Sequence, residues 1–184
     1  ATMPPFAGKQ RVIVVGNGAV GVSSNVELVT QVTGRIARMA PAMAVGGAFK
    51  AGEVLVELEQ EEFVLQLRQA RADVEVQIAN LQLQQAKSDA AVRNYALVNP
   101  SKAVPSLVAL RPQIAQAKAQ LLAAESRADI AQLNLQRTRF SLPFDGMITQ
   151  SSAQIGQLIS SGKSFGKSYA LNSVELVIPI SQSD

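Results

Sequence analysis

The stretch "VIVVGNGAVGV", Val12 to Val22, holds the one spacing in this sequence that belongs to a known ligand-binding turn. Gly16, Gly18 and Gly21 form G-x-G-x-x-G behind four aliphatic residues. Such a turn holds a pyrophosphate when it leads into a helix, because the helix N-terminal amides then face the phosphates. After Gly21 the chain runs through "VSSNVELVTQVTGRI", rich in β-branched residues and turn formers, so no helix is expected. The nearest acid, Glu27, stands six residues past Gly21, whereas a ribose ligand belongs about 20 residues on. The glycines are therefore expected to serve turns between strands. Other chemistry is removed by composition. The chain has no His and no Cys, which excludes thiol nucleophiles, Ser-His-Asp triads and disulfides and leaves no ligand set for zinc. Glu61 and Glu62 are a carboxylate pair, but they suit the N-terminus of a helix electrostatically. No enzyme activity, cofactor or metal is expected.

The elements that could position a binding surface must be found in 184 residues, enough for one domain or two small ones. Hydrophobic residues make up 47% of the chain but aromatics only 4%, so the core must be built from small aliphatic side chains. The net charge is +3. The basic residues are dispersed and aromatics for base stacking are scarce, so no nucleic-acid partner is expected. No segment has the roughly 18 uninterrupted apolar residues of a membrane span. No basic stretch followed by an apolar one marks an export signal at the N-terminus.

Glycine is absent from Glu61 to Thr138 in a chain that has twelve. Within that gap apolar residues recur at heptad spacing. Phe63, Leu67, Ala70, Val74, Leu81, Ala91, Tyr95 and Val98 lie on one stripe, interrupted by Gln77, Gln84 and Ser88. A second stripe runs without a polar exception through Leu107, Leu110, Ile114, Ala117, Leu121, Ala124, Ala128, Ala131 and Leu135. Between them "VNPSKAVPS", Val98 to Ser106, carries two prolines, and the first makes Asn99 a helix end. The spacing predicts helices over Glu61–Val98 and roughly Ser106–Thr138, folded back antiparallel because the loop is short. Pro112 either starts the second helix or kinks it one turn in. The first arm would reach about 57 Å at about 1.5 Å per residue, far more than a compact domain of this size needs.

The flanks of the hairpin read as an internal repeat. Gly34 to Glu59 and Gly146 to Gly162 both open with G-x-I and both continue into G-x-x-apolar-x-x-G. The second pattern uses Gly46, Phe49 and Gly52 in the first half and Gly156, Ile159 and Gly162 in the second. Each half reads as short strands joined by glycine turns. Val54, Val56 and Leu58 alternate with Leu55, Glu57 and Glu59, as on a strand with two distinct faces.

Paired halves split by a helical hairpin resemble a biotinyl/lipoyl domain in the setting it has in periplasmic adaptor, or membrane fusion, proteins of the hemolysin-secretion type. "TRFSLPFDGMI", Thr138 to Ile148, is similar to the family's T-x-apolar-x-A-P-[FY]-[DS]-G-x-[IV]. It matches at Thr138, Phe140, Pro143, Phe144, Asp145, Gly146 and Ile148, with Leu142 where Ala is usual. "VTGRI" (Val32–Ile36) and "AGEVLVELE" (Ala51–Glu59) match two further motifs. Independently of the family, Pro143 stops the second arm and Asp145-Gly146 supplies a turn. The resemblance implies an α+β fold: a long antiparallel coiled-coil hairpin over 61–138, inserted between the halves of a lipoyl-like β domain at 26–60 and 139–176. Residues 1–25 and 177–184 would then be parts of an adjoining β-barrel or membrane-proximal domain. "VELVIPISQSD" looks like a barrel strand cut short, so the chain is expected to be part of a longer protein.

By the same resemblance the protein is a non-enzymatic periplasmic connector, anchored at the inner membrane when full-length. Its partners would be an inner-membrane transporter of the resistance-nodulation-division or ABC type, a TolC-type outer-membrane channel, and copies of itself as a trimer or hexamer. The resistance-nodulation-division branch carries at the hairpin tip an Arg, a Leu four residues on and a Ser seven further. Arg93 and Leu97 fit; Val104 stands at the expected serine position and Ser106 two residues later. Arg93, Leu97 and Ser106 are thus the channel-contact candidates. Two other classes compete with this reading. A biotinyl or lipoyl carrier needs a modifiable Lys at the turn joining the halves, where this chain has the hairpin; Lys50 lies inside the first half. A plain coiled-coil scaffold leaves the flanking repeat unexplained.

Overall fold

The computed structural model describes residues 19–22, 25–171 and 174–177. Strands β1 (Ala19–Val22) and β10 (Val174–Val177) pair antiparallel in a two-stranded sheet of their own. Gly21 of the glycine motif therefore lies inside a strand, opposite Glu175, and not in a turn. Gly16 and Gly18 fall outside the described residues. Among the described residues the first α-helix begins at Glu61, so none of them close to Gly21 offers a phosphate the N-terminus of an α-helix.

Between these strands the chain builds two four-stranded antiparallel sheets. One has the order β2 (Asn25–Val29), β9 (Ser164–Ala170), β7 (Gly146–Ser151), β4 (Ala48–Phe49). The other has the order β6 (Arg139–Ser141), β5 (Val54–Leu58), β3 (Gly34–Met39), β8 (Leu158–Ile159). Each sheet takes two strands from each half: β2 and β4 flank β9 and β7 in one, and β6 and β8 flank β5 and β3 in the other. Neither half can close without its twin. Strand β9 ends at Ala170, and the Leu171 N–H still donates to the Asp145 carbonyl at 2.9 Å.

The repeat is a structural two-fold. Gly46 and Gly156 both have φ +84°, and Gly52 and Gly162 both have φ +79°, a left-handed backbone that only glycine adopts without strain. Across the axis the Ile148 carbonyl accepts from Gly46 N–H, and the Ile36 carbonyl accepts from Gly156 N–H, both at 2.8 Å. The turn formers also act across it. Asp145 Oδ1 accepts from Ala51 N–H at 2.7 Å, and Thr33 Oγ1 accepts from Ser161 N–H at 3.0 Å. Asp145 thus does more than shape its own turn: it ties the second half to the first over 94 residues of chain.

Between the sheets Leu28, Ile36, Leu55, Val56, Leu58, Ile148, Ile159 and Phe165 form one core. Phe140 and Phe165 meet edge to face at 5.1 Å between centroids. The alternation expected along β5 is broken: Val54 is exposed, while Leu55 and Val56 are both buried. A register shift against β6 between Val54 and Val56 turns the strand at that point. The first half also carries two more residues between its strands, folded as a 3-10 turn at Pro41–Met43. Met43 is fully buried, and its Sδ-methyl end occupies the space above Gly166, where a Cβ would stand 3.2 Å from it.

Helices α1 (Glu61–Val98) and α2 (Arg111–Gln136) form the hairpin. Leu67, Ser88, Ala117 and Ala124 are its buried helical residues, and the rest of the seam is half-buried. Ser88, an interruption in the heptad pattern, belongs to the seam: its hydroxyl donates to the Ala109 carbonyl at 2.7 Å. Arg71 bonds Gln132 at 3.0 Å, and Asn80 bonds Gln120 at 3.3 Å. The second helix starts at Arg111, five residues later than expected. Pro112 lacks the N–H that would continue a helix from Ser106, and Leu110 takes a left-handed backbone (φ 48°) that ends the preceding turn. Pro112 therefore starts the helix and does not kink it.

Candidate functional site

The hairpin is anchored where both its arms meet the β unit. The Leu58 N–H donates to the Thr138 carbonyl at 2.8 Å. Gln60 Nε2 donates to Thr138 Oγ1 at 2.9 Å, and that hydroxyl donates to the Leu135 carbonyl at 2.6 Å. Thr138 is fully buried. One residue thus joins the end of α2, the start of α1 and strand β5, so the hairpin leaves the β unit through a fixed neck.

The far end is built differently. Asn99 closes α1 by donating its N–H to the Tyr95 carbonyl at 2.8 Å. A loop with Pro100 and Pro105 comes next. A turn from Ser106 to Leu110 then feeds α2, with Arg111 N–H bonded to the Ser106 carbonyl at 3.1 Å. Arg93 and Leu97 stand one helical turn apart on α1, both exposed. Ser106 is exposed on the other side of the loop, in the turn before α2, while Val104 is half-buried. The three candidates therefore share the tip but sit on two different pieces of backbone.

Two tip residues depart from the heptad expectation. Val98 and Leu107 were expected to close the seam, yet they are 79% and 74% exposed, and Leu97 is 83% exposed. Heptad extrapolation fails at both positions because it assumes helix on each side. Val98 is the last residue of α1, and Leu107 lies in the turn, so neither has a facing arm to pack against. The tip presents three large aliphatic side chains to solvent beside a guanidinium. Exposed apolar residues scattered singly are ordinary, whereas these three are confined to the last turn of α1 and the turn before α2.

No group of three metal-ligating side chains occurs among the described residues, and no helix there is long and apolar enough to cross a membrane. A cleft of about 800 Å³ lies at the hairpin root between Arg35, Glu59, Glu62, Phe63, Leu65 and Leu158. It is open to solvent, and its Arg35 is engaged with the Gly156 carbonyl at 2.8 Å and with Glu59 at 3.8 Å.

No family profile matches the chain. In sequence it is 28% identical over 173 residues to multidrug resistance protein MdtA of Cronobacter turicensis, an alignment covering 92% of this chain and 40% of that protein. The chain thus spans well under half the length of this curated relative. In structure it is similar to a MacA-MexA chimera that carries the Pseudomonas aeruginosa MexA α-hairpin domain (TM-score 0.63, 22% identity, 93% of this chain, 56% of that one). It is also similar to the periplasmic adaptor protein EmrA (TM-score 0.61, 11% identity, 88% of this chain, 76% of that one). A third likeness is to the membrane fusion protein Spr0693 of Streptococcus pneumoniae R6 (TM-score 0.61, 15% identity, 86% of this chain, 64% of that one). These structures share the fold: α+β, with a long helical hairpin set on antiparallel sheets.

Proposed function

We propose, on the premise that this chain has the fold of the periplasmic adaptor or membrane fusion proteins and a sequence likeness to an efflux member, that it is the hairpin-bearing part of such an adaptor. In this reading the protein links an inner-membrane transporter, of the resistance-nodulation-division or ABC type, to a TolC-type outer-membrane channel in a tripartite efflux or secretion system. It acts in the periplasm without catalysis, as a trimer or hexamer, and the complete protein is anchored at the inner membrane. The split β unit is the lipoyl-like domain, and β1 with β10 begins the adjoining barrel.

The observation that supports this best is the contrast between neck and tip. A lever held at a buried threonine ends in exposed Leu97, Val98 and Leu107 beside Arg93. An exposed Leu can fill an apolar notch on a partner while the guanidinium pairs with a carboxylate or carbonyl there. Ser106 adds a hydroxyl on the facing side of the loop. In the intact adaptor, Arg93→Asp should weaken channel association or efflux complementation by more than about ten-fold, because charge reversal adds repulsion to the lost contact. Thermal stability should be unchanged, since an exposed charge contributes little to folding. Lys118→Asp, exposed on the middle of α2, is the control. Undiminished association of the Arg93 variant, or equal loss in the control, would remove the tip assignment.

A further inference from the structure

We propose that Ser88 is the positioning residue of the tip. Its hydroxyl holds the turn at 106–110 out of line with α2, and so fixes Ser106 and Leu107 relative to Arg93 and Leu97. This rests on the tip being the contact surface, as read above, and adds the residue that shapes it.

The turn is a closed unit. The Arg111 N–H donates to the Ser106 carbonyl at 3.1 Å, and the Leu110 N–H to the Leu107 carbonyl at 3.2 Å. With Leu110 at φ 48°, this is the pair of bonds that ends a helix through one left-handed residue. Glycine usually fills that position, because a β-carbon is strained there; here a leucine does. Such strain persists only where the surroundings over-determine it. Helix α2 has no side-chain cap of its own, and its ladder opens with the Ile114 N–H on the Leu110 carbonyl at 3.0 Å. The Ala109 carbonyl belongs neither to that ladder nor to the turn. A carbonyl on a buried residue must find another donor. Ser88 supplies it from across the seam at 2.7 Å, and its own residue is 7% exposed.

The rest of the hairpin shows what this bond does. The heptad stripe would carry α2 back to Ser106 and place Leu107 in the seam. With the turn held by Ser88, Leu107 stands in solvent instead. Arg71 with Gln132 and Asn80 with Gln120 also bridge the arms, but in bonds open to water. The Ser88 bond is buried and lies nearest the tip, five residues before Arg93. It ties together the two pieces of backbone on which the tip stands: α1 with Arg93 and Leu97, and the turn with Ser106 and Leu107.

The chain has no cysteine, so spin labels can be placed at chosen positions. One at Ala72→Cys, exposed on the shaft of α1, and one at Ser106→Cys should give a single narrow distance distribution by double electron–electron resonance. Ser88→Ala should broaden or shift that distribution with helicity intact. Ser126→Ala, which removes a hydroxyl bonded to Leu122 within α2, should leave it unchanged. In the intact adaptor Ser88→Ala should weaken channel association about five-fold, the weight of one buried hydrogen bond. Leu107→Ala should then cost little more, whereas Arg93→Asp should cost as much as it does with Ser88 in place. A general loss of stability would leave Leu107→Ala as costly as before, and that result would overturn the positioning role. An unchanged distance distribution in Ser88→Ala would overturn the bond's hold on the turn. Undiminished channel association in Ser88→Ala, with Arg93→Asp still damaging, would overturn the role of the turn in the contact. If neither variant weakens association, the tip reading itself fails.

Discussion

The β unit and the hairpin are built from the same small aliphatic alphabet but spend it in opposite ways. In the β unit Leu28, Ile36, Leu55, Leu58 and Ile148 are at most 1% exposed, and all contribute to one core. In the hairpin, far longer, the deeply buried helical residues are Leu67, Ser88, Ala117 and Ala124. The first region is held by volume and interlocking backbone. The second is held by a thin seam of Ala and half-buried side chains, crossed by Gln and Asn bridges. A body that must keep its shape in isolation belongs to the first kind. A surface that leaves much of its apolar area in solvent belongs to the second.

The contrast can be broken first at the core. Ile148→Ala leaves a cavity between the sheets where both halves meet, and should cost about 2–5 kcal/mol in denaturant unfolding. A loss below about 1 kcal/mol would mean that the halves do not share one core. The hairpin should respond on a smaller scale and locally. Ala124 is fully buried in the seam, and Ala124→Leu should push the arms apart at a cost of about 1–3 kcal/mol. Hydrogen exchange should then quicken along α1 and α2 while the strands keep their protection; uniform loss of protection would show that the two regions fold as one. The smallest effect has the opposite sign. Thr30 Oγ1 and Ser168 Oγ are buried without a hydrogen-bond partner. In the two-fold they stand where the other half has Leu142 and Leu58. Ser168→Ala should therefore stabilise the β unit by about 1 kcal/mol by removing an unpaired hydroxyl. A lower melting temperature in that variant would point to a partner for the hydroxyl.

Much of this was legible in the residues, for local reasons. A gap without glycine, a heptad stripe and two prolines are statements about consecutive residues, and they fixed α1 to its ends. The repeat was legible because φ near +80° at Gly46, Gly52, Gly156 and Gly162 requires a residue type that can be seen in the sequence. Where sequence and structure part, an extrapolation crossed a local break. Leu107 was assigned to a helix that starts only at Arg111, Val98 to a seam that had already ended, and Gly21 to a turn that is a strand. Arg93, Leu97 and Ser106 were legible as a spacing. Their exposure beside Val98 and Leu107 was not, because burial depends on what faces a residue across the fold.

The sequence by itself determined the order of elements, the hairpin's length and the two-fold character of its flanks, since these follow from periodicity and backbone preference within short windows. Only the tertiary structure decided which strands of one half flank those of the other. It also decided that Asp145 and Thr33 close each other's halves, that Ser88 belongs inside the seam, and that Val98 and Leu107 stay uncovered at the tip. Each of those rests on a contact between residues far apart in the chain or on its absence. The sequence holds both partners of such a contact but carries no local signal that they meet.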